Sequence, residues 1–313
     1  MTMTTNWVCA VSVATVWTSP EAPREIDQFG LEHPVQLNKW IEKMRYEELL
    51  DLCDGNRVQT QLLYGEPVIV DSVEGDWAKV VCPWQGSKKD ERGYPGWVPV
   101  KQLAEVEQST PQQFARVKVG RSQLWTTEKQ PLLVLSFNTI LPVSGVSEEF
   151  TVVQTPHGEA LLATFNIELV TALDALPKLD GEAIVKLALP FLDLPYFWGG
   201  MSSYGYDCSG FSYQMTKAAG YLIPRDASDQ AVAGLEVNKD DQSEWQLGDL
   251  LFFANDEGTG SVRHVGIYSG NGQMIHSPST GQSIEIRTLE GTKFVKELCA
   301  VRRFARVREG VTL

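Results

Sequence analysis

Five cysteines and four histidines carry most of the nucleophilic and basic chemistry available to this 313-residue chain. The cysteines are Cys9, Cys53, Cys82, Cys208 and Cys299: odd in number, scattered, and without a CxxC pair. That pattern argues against a disulfide framework or a structural zinc site, and suits a reducing compartment. Cys208 stands apart. A Gly-, Ser- and Tyr-rich stretch from Trp198 runs into it, and an apolar-periodic segment follows at once. The spacing predicts that Cys208 is the first residue of a buried helix. Unpaired N–H groups and the positive end of a helix dipole at that position favour a thiolate, the nucleophilic form. The small residues around it let a substrate backbone approach. The other reading is a buried structural cysteine, and local features leave the two level.

A cysteine nucleophile needs a base, and the base needs a partner that fixes its tautomer. His33 and His157 fall in β-rich sequence well before Cys208. His264 and His276 fall after it, on the two strands of a hairpin closed by Ser269-Gly270-Asn271-Gly272. In a tight hairpin, His264 near the start of one strand faces His276 near the end of the other. A Cys208–His264–His276 relay follows. Against it stands the alternative of two unrelated histidines filling polar sites on a sheet.

The elements that must position these residues read as follows. Val8–Trp17 is a strand rich in Val and Thr. Asp27–Cys53 shows helical spacing and reads as an insertion that starts near Pro34. Gln61–Val70, Asp76–Cys82 and Gly93–Pro99 are further strands. A second copy of this plan follows: Val13–Ser19 is echoed by Arg121–Thr127, Asp76–Pro83 by Glu149–Pro156, and Gly96–Leu103 by Gly158–Phe165. Two tandem short-strand units imply two small barrels, and their strand order resembles bacterial SH3 (SH3b) domains. Polar sequence at Glu105–Gln113 and the Ala175–Asp180 stretch around Pro177 mark boundaries. The domains expected are therefore 1–107 with the helical insertion, 112–175, and 179–307. The last one changes style. It holds a helix at Ala183–Leu194, the helix from Cys208 to a cap at Gly220, and a helix opened by Pro224–Gln230 with Asp226 or Ser228 as cap. Strands follow at Leu250–Phe253, His264–Tyr268, Gln273–Ser277 and Ala300–Val307.

The segment Tyr196–Phe211 with Asp207-Cys208-Ser209-Gly210-Phe211, then Gly248-Asp249-Leu250, His264-Val265-Gly266-Ile267-Tyr268 and Ile275-His276, resembles the NlpC/P60 family of cysteine peptidases. The likeness spans 179–307. It implies a papain-like α+β domain, a relay of Cys208, His264 and His276, and cleavage of peptidoglycan stem peptides at the γ-D-glutamyl bond. Preceding SH3b domains and Arg225-Asp226 after the catalytic helix resemble, within that family, the γ-D-glutamyl-L-diamino acid endopeptidases. This implies a free N-terminal L-Ala on the substrate, its ammonium held by Asp226 with a Glu and a Tyr of the first SH3b domain. Glu66 and Tyr94 are the candidates. A carboxylate pair closing one end of a cleft would pair with an ammonium and reject an acylated N-terminus. The plainer readings are a helix cap for Asp226, an exposed strand-end carboxylate for Glu66 and a core aromatic for Tyr94.

On this reading Cys208 attacks the D-Glu γ-carbonyl as a thiolate paired with His264, which protonates the leaving amine while His276 orients it. The Cys208 N–H and the Tyr196 hydroxyl are oxyanion candidates, and Trp198, Asp207 and Ser209 shape the cleft. No metal or other cofactor is called for. Forty acidic against 27 basic residues, a net charge of -13, argue against a nucleic-acid or anionic-membrane partner. No apolar run reaches membrane-spanning length, and Trp7–Trp17 reads as an opening strand rather than a leader because no Lys or Arg precedes it. The expectation is a cytoplasmic monomer acting on peptidoglycan-derived peptides during murein recycling. Two alternatives stay open: a hydrolase of intact wall anchored by its SH3b domains, and a non-catalytic scaffold.

Overall fold

Strand-length apolar runs separated by Gly, Pro and Asn turns dominate the first half of the chain, and they fold into sheets. The computed structural model describes residues 5–107, 111–171 and 176–305, in two compact units. The first unit comprises residues 5–84, 89–171 and 198–204; the second comprises 85–88, 176–197 and 205–305.

The first unit holds two seven-stranded sheets. In one, the order across the sheet is Val58–Leu63, Val13–Trp17, Tyr94–Pro99, Trp77–Cys82, Pro67–Glu74, Thr5–Cys9, Leu103–Glu107. In the other it is Pro131–Ser136, Arg121–Thr126, Gly158–Ala163, Phe150–Thr155, Ile140–Val146, Phe114–Val117, Ile167–Val170. Strand for strand the two orders are the same, so the sequence echo reflects a structural duplication. The third echo needs a shift of two residues. Trp77 pairs with Pro99 and Phe150 with Ala163, and a 3-10 turn follows each, at Val100–Gln102 and Thr164–Asn166. Trp97 therefore corresponds to Leu161. The matched glycines mislead because Gly158 opens its strand with φ +98, directly after the turn, whereas Gly96 lies in the middle of a strand.

Two expected strands are each broken in two. Val8–Trp17 divides into Thr5–Cys9 and Val13–Trp17, which occupy separate places in the sheet. Gln61–Val70 divides at Gly65, whose φ of +77 turns the chain back into Pro67–Glu74. Strand-favouring residues on either side hid both breaks, although Ser12 lies at the first and Gly65-Glu66-Pro67 at the second. The insertion forms helices at Gln28–Leu31, Leu37–Lys43 and Tyr46–Asp54. It is fastened to the sheet by Trp40, fully buried with its ring 5.8 Å from Trp17 and its indole N–H donating to Asp27 at 2.9 Å. Arg24 bridges Asp27 and Asp51 across the insertion. Of the expected Glu105–Gln113 boundary, Glu105–Glu107 belong to a strand and 108–110 lie outside the described residues, as do Ala175 and Val307.

The second unit carries a six-stranded sheet in the order Leu235–Val237, Leu298–Arg303, Leu250–Ala254, Val262–Gly270, Gln273–His276, Glu285–Thr288. Leu250–Ala254 is buried at every position, so both its faces are covered. One alternating set joins a cluster of Val237, Leu251, Phe253, Tyr268, Met274, Leu289 and Val301. The helix Cys208–Ala218, buried along its whole length, packs on Val262–Gly270. Gly220, φ +91, ends it as expected, in a position where a Cβ would strike the Pro177 carbonyl. The helix expected over Ala183–Leu194 is shorter, Gly181–Ala188, giving way to a 3-10 turn at Leu189–Phe191 because Pro190 has no N–H to continue the ladder.

Candidate active site

Cys208 is the first residue of its helix, and Asp207 is the N-cap, its carboxylate accepting from the Gly210 N–H at 2.6 Å. An aspartate at this position satisfies an N–H that the helix cannot. Here the cap is itself fixed. Arg225, 1% exposed, donates to both Asp207 oxygens at 2.6 and 3.2 Å and to Ser209 Oγ at 2.8 Å. Gln230 donates to the Ser209 carbonyl at 3.1 Å and to the Pro224 carbonyl at 2.8 Å. The residues on either side of the thiol are thus held by a buried, charge-assisted lattice. Asp207 and Ser209, expected to shape a cleft, spend their side chains on this lattice.

The hairpin forms with its turn at Asn271 and Gly272, φ 53 and 68. Ile267 faces Ile275 and Tyr268 faces Met274, a register that sets His276 beside Gly266 and makes His264, two residues away, its diagonal neighbour on the same face. His264 Nε2 lies 2.7 Å from His276 Nδ1, and both rings are buried. His276 Nε2 lies 3.3 Å from Glu285 Oε1 on the next strand, and Arg287 donates to that same oxygen at 2.6 and 2.9 Å. Phe294 packs on both imidazoles, with ring centroids 5.7 Å from His264 and 5.5 Å from His276, and Phe253 lies 5.9 Å from His264. The Cys208 thiol meets the Val265 backbone, next to His264.

These surroundings set the charges. Burial, with Asp207 adding to it, pushes the Cys208 thiol up to about 12, against the opposing pull of backbone N–H groups and Arg225. Burial and the neighbouring His276 push His264 well below the usual imidazole range. Burial lowers His276 to about 4, although Glu285 works the other way. The helix start alone predicts a thiolate. Desolvation of the buried thiol works against it.

Tyr196, 9% exposed, donates its backbone N–H to the Gln282 carbonyl at 2.9 Å and forms a bridge with Tyr206. Trp198 belongs to the first unit, where its indole N–H donates to the Val58 carbonyl at 3.1 Å. Gly199 and Gly205 are needed for packing: a Cβ would meet Val58 at 2.5 Å in one and Phe197 at 2.5 Å in the other. Asp226 occupies the N-cap position of Ala227–Gln230, yet its side chain makes no capping hydrogen bond, so the plain-cap reading fails. Glu66, 3% exposed, is not an exposed strand-end carboxylate; one oxygen accepts from the Leu63 N–H at 3.0 Å across the Gly65 turn. Tyr94 is buried, with its hydroxyl bonded to the Lys89 ammonium. That ammonium also lies 4.2 Å from the Tyr94 ring centroid and donates to Gln59 at 2.7 Å. His157 serves the first unit, bonded to the Tyr64 hydroxyl at 2.7 Å.

Sequence reasoning missed Arg225 as the clasp of the cap and Glu285 as the neighbour of His276. A charged residue directly after the apolar Leu222-Ile223-Pro224 was a signal for the first. The strand Glu285–Thr288, placed by pairing with Gln273–His276, gave none for the second. Among the described residues no group of three His, Cys, Asp or Glu side chains is arranged to hold a metal ion, and no helix is long and apolar enough to cross a membrane.

Residues 193–303 match the NlpC/P60 family and residues 117–168 match the YKFC SH3b2 domain. The chain is 45% identical to a gamma-D-glutamyl-L-lysine dipeptidyl-peptidase of Bacillus subtilis (strain 168), over 93% of this chain and 96% of that protein. It is 38% identical to a protein of the same name from Bacillus cereus (strain ATCC 10987 / NRS 248), over 94% and 89%. It superposes on the crystal structure of an NlpC/P60 family protein from Bacillus cereus ATCC 10987 with a TM-score of 0.91 at 36% identity, covering 96% of this chain and 100% of that one. With a cysteine heading a buried helix, two bonded histidines on one hairpin and relatives matched along nearly their full length, the chain belongs to the NlpC/P60 family.

Proposed function

We propose that this protein is a cysteine peptidase that hydrolyses the γ-D-glutamyl-L-diamino acid bond of peptidoglycan stem peptides with a free N-terminal L-Ala, and so releases the N-terminal dipeptide. The observation that carries the reading is Cys208 at the head of a buried helix, against the strand whose His264 is bonded to His276. The relatives named as gamma-D-glutamyl-L-lysine dipeptidyl-peptidases support the bond assigned. The same reading makes the two seven-stranded sheets SH3-like barrels, the second unit a papain-like α+β domain, the domain limits 1–107, 112–175 and 179–307, and the protein a cytoplasmic monomer of murein recycling.

The mechanism begins from a neutral pair. Burial pushes the Cys208 thiol up and the His264 imidazole down, and both shifts favour the neutral pair at rest. Transfer of the thiol proton to His264 then accompanies attack of Sγ on the γ-carbonyl. The Cys208 N–H, which has no partner within its own helix, and the Tyr196 hydroxyl take the developing oxyanion. Collapse breaks the C–N bond, and the proton on His264 goes to the departing amine. Water, deprotonated by the same imidazole, then hydrolyses the thioester and returns the proton to sulfur. Asp226, with Glu66 and Tyr94, would hold the substrate ammonium. The hold of Tyr94 and Gln59 on the Lys89 ammonium supports the view that this chemistry suits a cation.

The test is turnover of L-Ala-γ-D-Glu-L-Lys. Cys208→Ala must abolish it while leaving the fold intact, and N-acetylation of the peptide must abolish cleavage by the unaltered enzyme. Turnover by the Cys208→Ala protein overturns the mechanism; cleavage of the acetylated peptide overturns the ammonium requirement.

A further inference from the structure

We propose that Glu285 is a positioning residue that sets the direction of every hydrogen bond in the relay and so delivers an unprotonated His264 Nδ1 to Cys208; this rests on the peptidase reading above. At the strand edge, Arg287 is a donor only, and both its contacts go to Glu285 Oε1. That oxygen can only accept, and it is the one facing His276 Nε2 at 3.3 Å. A neutral His276 therefore carries its proton on Nε2 and presents a bare Nδ1. The 2.7 Å contact to His264 then requires His264 Nε2 to donate. A neutral imidazole has one proton, so His264 Nδ1 is left as the base. Without an acceptor at Glu285, both histidines can reverse together: His276 Nδ1 donates, His264 Nε2 accepts, and Nδ1 carries a proton where a base is required. Phe294 and Phe253 offer no polar partner that would choose between the two directions.

The charged groups around the pair are Glu285 and Arg287 on the strand next to His276, Arg263 beside His264, and Lys293 ahead of Phe294. The three cations disfavour a charged imidazole, and Glu285 alone among these neighbours opposes them. Protonation of His276 places a proton on Nδ1 as well, which reverses its bond to His264 and removes the base. Activity on the acid side should follow His276.

The experiment pairs kinetics with spectroscopy. In 15N-histidine-labelled protein at neutral pH, His276 Nδ1 and His264 Nδ1 should both show the shift of unprotonated nitrogen. Glu285→Ala should mix the two tautomers, lower kcat about 10–100-fold with KM little changed, and move the acid limb of kcat to lower pH. Glu285→Gln should restore most of the activity and the single tautomer, because Arg287 still holds an oxygen toward His276. A wild-type His264 with its proton on Nδ1 overturns the proposal whatever the variants do. So does a Glu285→Ala protein with unaltered tautomers, or one whose kcat falls with no movement of the acid limb. The spectra need no substrate, so failure of the tripeptide to turn over would count against the peptidase reading and leave this test standing.

Discussion

Replacing Arg225 tests whether the clasp on the N-cap is a structural necessity. Arg225 is 1% exposed and Asp207 6%, and two of the guanidinium contacts fall on that carboxylate. In Arg225→Met the stem volume is kept and the charge is lost, leaving Asp207 buried with only its bonds to Ser209 and the Gly210 N–H. Removing one member of a buried ion pair costs about 3–5 kcal/mol, against a total stability of about 5–15 kcal/mol for a domain. At about 2–4 °C per kcal/mol for a unit of this size, Tm should fall by roughly 6–20 °C. Asp207→Asn should cost a similar amount by stranding the arginine. The pair with both changes should be more stable than the sum of the single losses requires, by about 2 kcal/mol or more, since neither charge is then left alone. Thermal and urea denaturation of the four proteins measure this. Strict additivity, or a Tm change under about 2 °C in Arg225→Met, would falsify the claim that the clasp holds the helix start.

Three further outcomes follow from burial. His276 sits near 4 when folded against an ordinary 6.5, so between those values the unfolded chain binds more protons; stability is full above about pH 6.5 and is lost as pH falls toward 4, by about 3 kcal/mol, and His276→Asn should flatten that part of a stability-against-pH curve. Alkylation of Cys208 by iodoacetamide, corrected with the Cys208→Ala protein, should still be rising at about pH 9, and a plateau between about pH 5 and 8 would instead reveal a resting ion pair. Trp40→Ala should cost about 3–5 kcal/mol in the first unit, because it empties a fully buried ring site and removes one of the donors to Asp27; a loss under about 1 kcal/mol would show that the insertion is not fastened there.

The fold was legible wherever one periodicity ruled a segment. The Cys208 helix, the His264–His276 hairpin with its Asn271-Gly272 turn, and the duplicated strand plan are all local patterns, and local patterns survive in one dimension. What misled were strand-favouring runs that continue across a change of direction. In Val8–Trp17 the polar residues Ser12 and Thr15 are ones that strands also carry, so the division at Ala10–Ser12 depends on partners distant in sequence, and the turn at Gly65 looks like one more small residue in a strand. The two-residue slip in the third echo has a similar origin. Gly158 and Gly96 are the same letter, but one supplies a positive φ and the other lies in the middle of a strand.

At the site, residue types were legible and protonation states were not. The order of Cys208, His264 and His276 along the chain says which groups can meet. Their charge depends on how completely Phe253, Phe294 and the surrounding strands exclude water, a property of packing that no motif encodes. A helix N-terminus offers at most about 2 kcal/mol to a nearby anion. The buried environment that raises Cys208 to about 12, from an ordinary thiol value near 9, acts in the other direction. Desolvation therefore works against the helix dipole and favours a neutral thiol at rest, and the helix start lowers the cost of charge when substrate brings the carbonyl that will carry it away.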